Sequence, residues 1–204
     1  MALTEDLQML CEKAKAYGAS EAIIISTQSI VVDPRVRLKC MVPICPNYGY
    51  NLMCPPNVIN SDEFIKILSY YRYAILLRVR IQLKWDLIAA VGKEASLNEI
   101  RDIENYKEPL VKSERTLVEI LRKLERDCLK LGFRFAAGLS AGACRLCDEC
   151  VGQKSGKVCR RPFDARPSME AVGIDVIETA KKAGMNISFY GNEEPSWIGL
   201  LLVD

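Results

Sequence analysis

At 204 residues, half of them hydrophobic, the chain has the material for one domain over residues 1–204 with a sizeable core and no need of disulfide staples. A net charge of +2 argues against a strongly basic nucleic-acid binder, and the absence of histidine excludes His-based triads, facial triads, Rieske ligation and every Cys/His zinc finger. Nine cysteines, no basic-then-apolar leader and no apolar run of membrane-spanning length set the expectation of a cytoplasmic protein whose thiols bind metal or do redox chemistry.

Thr4 is expected to cap a first helix with Leu7, Leu10, Cys11 and Ala14 on its apolar stripe and Gly18 at its end. Residues 22–26 read as a buried strand, and 30–38 as a second strand interrupted by Pro34. That strand would put Arg35, Arg37 and Lys39 on one face, presenting charge to an anionic substrate or simply to solvent. Residues 40–60 form a first cysteine loop, too rich in Pro, Asn and Gly and too long for a plain connector. A helix over 62–71 capped by Ser61 follows, then the clearest strand, 73–81.

Residues 85–107 are charged and weakly patterned, a helical excursion or a mobile segment. A long helix runs from about Pro109 with Leu117, Ile120, Leu121, Leu124, Cys128 and Leu131 at helical spacing, closed by Gly132. Residues 133–139 read as a strand that delivers the chain to a second cysteine loop over 141–167. Pro167 and Ser168 then open a helix carrying Val172, Val176, Ile177 and Ala180, closed by Gly184, before final strands at 186–190 and 197–203. The class is therefore α/β or α+β: one mixed sheet covered by helices, with two cysteine-rich metal-binding loops.

The second loop carries Cys144-x2-Cys147-x2-Cys150, then Cys159 and Pro162. Three thiolates three residues apart can each reach a different iron of one cubane, whereas structural zinc takes two cysteines from each of two separated knuckles. The run follows the bacterial ferredoxin pattern to its third cysteine and then departs, because Cys159 lies nine residues on. Cys159 thus closes either its own cluster or the other one. Lys154, Lys157, Arg160, Arg161 and Arg166 surround this loop, to tune a cluster, dock an acidic partner or face solvent.

The first loop, Cys40-x4-Cys45-x8-Cys54-Pro-Pro, offers three thiols. Its fourth ligand is open between Cys159, a carboxylate, Cys11, Cys128 and no protein group, with Cys11 and Cys128 favoured as core residues. An iron without a protein thiolate binds a small-molecule substrate and makes an enzyme; a filled corner makes a relay. Tyr48, Tyr50 and Asn51 are candidates for substrate or sulfide hydrogen bonds, or for satisfying the loop's own backbone.

These motifs, with Ala141-Gly142 ahead of the second run, residues 166–176 (Arg-Pro-Ser-Met-Glu-Ala-x-Gly-Ile-Asp-Val) and the closing Gly199-Leu200-Leu201-Leu202, carry a resemblance. The chain resembles a family of cysteine-rich predicted metal-binding proteins, common in anaerobes, whose domain has no assigned function. The resemblance implies metal binding through Cys40, Cys45, Cys54, Cys144, Cys147, Cys150 and Cys159, and no reaction. In the 166–176 segment, Ser168 and Glu170 are explained by a helix N-terminus, Arg166 and Asp175 less well.

Two functions follow. The first is a cytoplasmic protein with one or two 4Fe–4S clusters, in electron transfer with a redox partner protein or as a redox enzyme. The second is a zinc-stabilised binding module without redox activity. No P-loop or dinucleotide fingerprint is present, and the radical-enzyme spacing Cys-x3-Cys-x2-Cys is absent.

Overall fold

A computed structural model describes residues 2–82, 104–187 and 195–204. Its elements are α1 (Ala2–Ala16), β1 (Glu21–Ser26), α2 (Arg35–Met41), α3 (Ser61–Leu68), β2 (Tyr73–Arg80), α4 (Glu104–Leu131), β3 (Ala137–Leu139), α5 (Val176–Lys182) and β4 (Ser196–Val203), with short 3-10 turns at Thr27–Ser29, Gln153–Ser155 and Glu170–Val172. The class resolves to α+β. The four strands run in the order β1-β2-β4-β3. Every pairing between them is antiparallel, which replaces the expected mixed sheet.

Alternation along β2 and β4 explains the layering. Ile75, Leu77, Val79, Leu201 and Val203 face α1 and α4, meeting Leu7, Leu10, Cys11, Leu117, Leu121, Leu124 and Cys128. Ala74, Leu76, Ile198, Leu200 and Leu202 face the other way, onto Phe64, Met169, Val172, Ile174 and Ala180. The sheet is thus buried on both faces, and each fully buried Leu or Ile contributes about 1.5–3 kcal/mol. Close packing of α4 on the sheet depends on Gly199, where a Cβ would stand 2.8 Å from Leu117 and 3.1 Å from the Leu139 carbonyl. No helix of the described residues is long and apolar enough to cross a membrane.

Several expected elements change for identifiable reasons. Residues 35–41 are helical, not strand: Pro34 sits at φ −59° and the Asp33 carboxylate accepts from the Arg35 amide at 2.8 Å. Asp-Pro starts a helix, and only the Val32–Ile174 bridge keeps strand character. Arg35, Arg37 and Lys39 therefore do not share a strand face; Arg35 pairs with Asp33, and Arg37 donates to the Ile59 carbonyl. α1 begins ahead of Thr4, which is no cap. α3 is capped by Asn60 in a reciprocal box with Glu63, leaving Ser61 buried in its first turn.

α4 starts before Pro109 and contains it. The expected strand 133–139 shrinks to β3 because the Arg134 and Phe135 amides bind the Asp204 carboxylate instead of a strand. The single helix after Pro167 is broken at Gly173, whose φ of +94° only glycine holds easily and where a Cβ would fall 2.2 Å from Ser61 Oγ. Ser168 accepts from the Ala171 amide in the 3-10 turn, and Asp175 caps α5 through the Glu178 amide. Asn186 and Ile187 are not in a strand, and the rest of that expected strand lies outside the described residues, as does most of 85–107.

Candidate metal centre

Both cysteine loops are built from the ends of these elements. Cys40 lies in the last turn of α2, and a turn returns the chain so that the Cys45 amide donates to the Cys40 carbonyl at 3.0 Å. Asn51, 3% exposed, organises the next stretch: its Oδ1 accepts from the Met53 amide at 3.0 Å, and its carbonyl accepts from the Cys54 amide at 3.0 Å. The Gly49 amide closes the loop on the Pro55 carbonyl at 2.9 Å. Pro43 and Pro56 follow cis peptide bonds.

The second loop leaves β3 at Ser140 and returns at Pro167. Its neck is pinned where the Ser140 amide donates to Pro167 and the Met169 amide to Ser140, at 2.8 and 2.9 Å. α4 clamps both arms. Arg115 Nε donates to the Arg145 carbonyl at 2.8 Å, and Arg145 approaches the buried Glu114 at 3.8 Å. At the return arm, Arg166 forks onto Glu125, with Nε to Oε1 at 2.8 Å, while the same Oε1 accepts from the Gly138 amide of β3 at 2.7 Å. Arg166, left unexplained by helix capping, is a clamp of the loop to α4.

The loops hold each other. Tyr50 Oη donates to the Cys150 carbonyl at 2.8 Å, the Gln153 amide donates to the Tyr50 carbonyl at 2.9 Å, and Asn51 Nδ2 donates to the Cys144 carbonyl at 3.2 Å. Gly152, at φ +77°, lies flat against the Tyr50 ring; a Cβ there would stand 2.6 Å away. Tyr50 and Asn51 thus serve the other loop's backbone.

Cys144, Cys147, Cys150 and Cys159 all line one opening, together with Asn51, Leu52 and Met53 of the first loop. Amides point at the sulfurs. Leu146 donates to Cys144, and the Arg161 amide donates to Cys159 Sγ at 3.4 Å. In the first loop Asn47 Nδ2 reaches Cys45 Sγ at 3.9 Å. Burial, then the charges of Cys45, Cys40, Cys144 and Cys150, push the Cys54 thiol up to about 12, so Cys54 has neighbours in both loops. Cys40 is raised by burial, then by Cys45 and Glu170, with Arg37 opposing. Cys144 is raised by burial against the Leu146 amide, with Cys159, Cys150 and Cys147 adding.

Such thiols are protonated at neutral pH, and a thiophilic cation would displace their protons on binding. All nine cysteines are free. Among the described residues no three Cys, Asp or Glu side chains are gathered tightly enough to hold one metal ion.

Cys11 and Cys128 stand apart in the α1–α4 core, 3% and 0% exposed, with burial as the first cause raising their thiols to about 11 and about 12. Of the basic residues near the second loop, Arg160 donates to the Glu149 carbonyl at 2.8 Å and Arg161 pairs with Asp164, while Lys154 and Lys157 are exposed. Spacing did not single out Glu114, Glu125 or Arg115, because their partners lie across the fold rather than along the chain.

Two contiguous, soft-donor cysteine loops carried on an α+β sheet define a cysteine-rich protein of the metal-binding class. The chain belongs to the family of predicted metal-binding proteins called DUF2284, whose model matches residues 23–203 and so takes in both loops and all four strands but for the first two residues of β1 and its N-terminal approach. No curated protein and no solved structure matches the chain.

Proposed function

We propose that the protein is an iron–sulfur protein of a reducing compartment such as the cytoplasm, carrying one 4Fe–4S cluster on Cys144, Cys147, Cys150 and Cys159 and a second on Cys40, Cys45 and Cys54. The carrying observation is that the four thiols of the second loop line one opening, and their Cys-x2-Cys-x2-Cys run suits a cubane rather than a zinc knuckle. Amide-to-sulfur bonds at Cys144 and Cys159 add support, since such bonds offset the negative charge of a cluster's thiolates. On this reading Cys159 serves the second loop's own cluster.

The bound clusters would supply one-electron chemistry at low potential. The chain's own part is to hold the thiols, to aim amides at them and to offer a docking rim. That rim consists of Lys154, Lys157, Val158 and Phe163, the last two 86% and 88% exposed, and it suits an acidic redox partner protein. Anaerobic purification followed by iron, acid-labile sulfide and zinc analysis tests the reading. Iron and sulfide in near-equal amounts with signals from two reduced clusters are expected. Stoichiometric zinc without sulfide overturns it in favour of a zinc-stabilised binding module.

A further inference from the structure

The first loop supplies three thiols, and the fold narrows what can stand as its fourth ligand. Cys11 and Cys128 are removed by position: both lie in the α1–α4 core, on the opposite face of the sheet from Met169, Val172 and Ile174, which lie in or beside the 3-10 turn Glu170–Val172. Cys159 is committed to the opening it lines with Cys144, Cys147 and Cys150. A carboxylate or no protein group remains. The 3-10 turn packs directly against α2, the helix that carries Cys40 in its last turn.

Glu170 begins that turn, and its Oε2 is buried without a hydrogen-bond partner. An orphaned buried carboxylate oxygen is costly, and native folds keep one where a ligand or ion completes it. The Glu170 charge falls on Cys40, Lys39 lies near it, and the Ser168 side chain supports the same carboxyl group. The carboxylate therefore stands beside Cys40 with one oxygen unused.

We propose that Glu170 Oε2 is the fourth protein ligand of the Cys40, Cys45 and Cys54 centre, an oxygen donor on the one iron that no cysteine reaches. This rests on the iron–sulfur reading above. Glu170 would bind as its carboxylate, with Ser168 remaining on that group as its supporting hydrogen-bond donor. A hard carboxylate holds iron less tenaciously than a thiolate does, so the Glu170 iron is the exchangeable one and the place where a small anionic ligand enters. The first centre would then be the reactive one and the second, with four thiolates, a closed relay.

The test uses the full chain reconstituted anaerobically with ferrous iron and sulfide, as wild type, Glu170→Gln and Glu170→Cys. Iron per chain and electron paramagnetic resonance are read in each. Glu170→Gln should lose one iron from the first cluster, giving a three-iron signal, and leave the second cluster's reduced signal unchanged. Glu170→Cys should restore the fourth iron with a shifted first-cluster signal. A Glu170→Gln chain with wild-type iron content and both signals intact overturns the ligand assignment alone. A wild-type chain that takes up no iron and sulfide overturns the functional reading with it. Should either variant fail to fold, wild type labelled with carboxyl-13C glutamate decides the matter. Hyperfine coupling from the label to the first-cluster signal is expected, and its absence overturns the proposal.

Discussion

Cys128 lies fully buried on α4 among Leu117, Leu121 and Leu124, where its sulfur is one more apolar surface. Cys144 is half-buried at the mouth of a loop, with an amide aimed at its sulfur and three other cysteines around it. Burial raises both thiols, yet for opposite ends. In the core nothing could repay a thiolate, and the thiol is inert. In the loop the neighbours that add to the rise are other thiols, and a bound cation would reverse its sign for Cys144. The same residue type is thus packing in one region and, on the proposed function, chemistry in the other, and the surroundings decide which.

Replacing Cys147 by Ser should break the loop side of this comparison most severely. The metal held by the second loop should be lost and residues 141–167 should open to protease, while far-ultraviolet circular dichroism stays near wild type because the α1–α4 core does not depend on that loop. Unchanged metal per chain would mean that Cys147 is no ligand.

Gly152→Ala attacks the clasp between the loops. A side chain at φ +77° is strained, and its Cβ would stand 2.6 Å from the Tyr50 ring, so a loss of about 2–4 kcal/mol is expected in denaturant unfolding. Metal release to a chelator should quicken from both loops at once. Quickening confined to the second loop would show that the clasp does not couple them.

Asp127→Asn probes the core side. The Asp127 carboxylate, 2% exposed, accepts from Tyr17 Oη at 2.6 Å and pairs with Lys13 and Lys130, fastening α1 to α4. Burial alone would raise its pKa, but the bonds from Tyr17, Lys130 and Lys13 outweigh it and hold the group below its ordinary value. A depressed carboxylate stabilises above its unfolded pKa and loses that contribution as pH falls through the folded one. Wild type should therefore lose more stability than Asp127→Asn on acidification below about pH 4, and at neutral pH the variant should be weaker by about 1–3 kcal/mol. Parallel acid profiles in thermal melts would refute the linkage.

The smallest effect is expected of Cys11→Ala and Cys128→Ala, each removing one buried sulfur for about 1 kcal/mol. Metal content should not change. A loss of metal in either variant would erase the distinction drawn between the two regions.

Much of this division was legible in the residues. The helical spacing of Leu117, Leu121, Leu124 and Cys128 placed Cys128 in a core, and β2 and β4 declared themselves by apolar runs. Where the reading failed, a local signal had been outweighed. Val36 and Leu38 alternate with charges as a strand does, but Asp33-Pro34 had already started a helix. Gly173 reads as tolerable inside a helix until Ser61 of another element is found 2.2 Å from where its Cβ would be. The Arg166–Glu125 and Arg145–Glu114 contacts join residues far apart in the chain, and no spacing rule reaches them. Glu170 belongs with these: its first-turn position was readable, its unused oxygen was not.

The strand order β1-β2-β4-β3 carries a consequence for the order of events during synthesis. β3, from which the second cysteine loop departs, pairs with β4 and with no other strand among the described residues. While a ribosome is still making the segment between them, β3 lacks its strand partner and leans only on α4, through the Gly138 amide on Glu125. Four thiols are by then already exposed to the nascent chain's surroundings. The sheet beneath the loop is complete only after residues 196–203 slot between β2 and β3, a pairing of high sequence separation and therefore late. Oxidants and stray cations have that interval in which to reach the thiols before the sheet beneath them is complete.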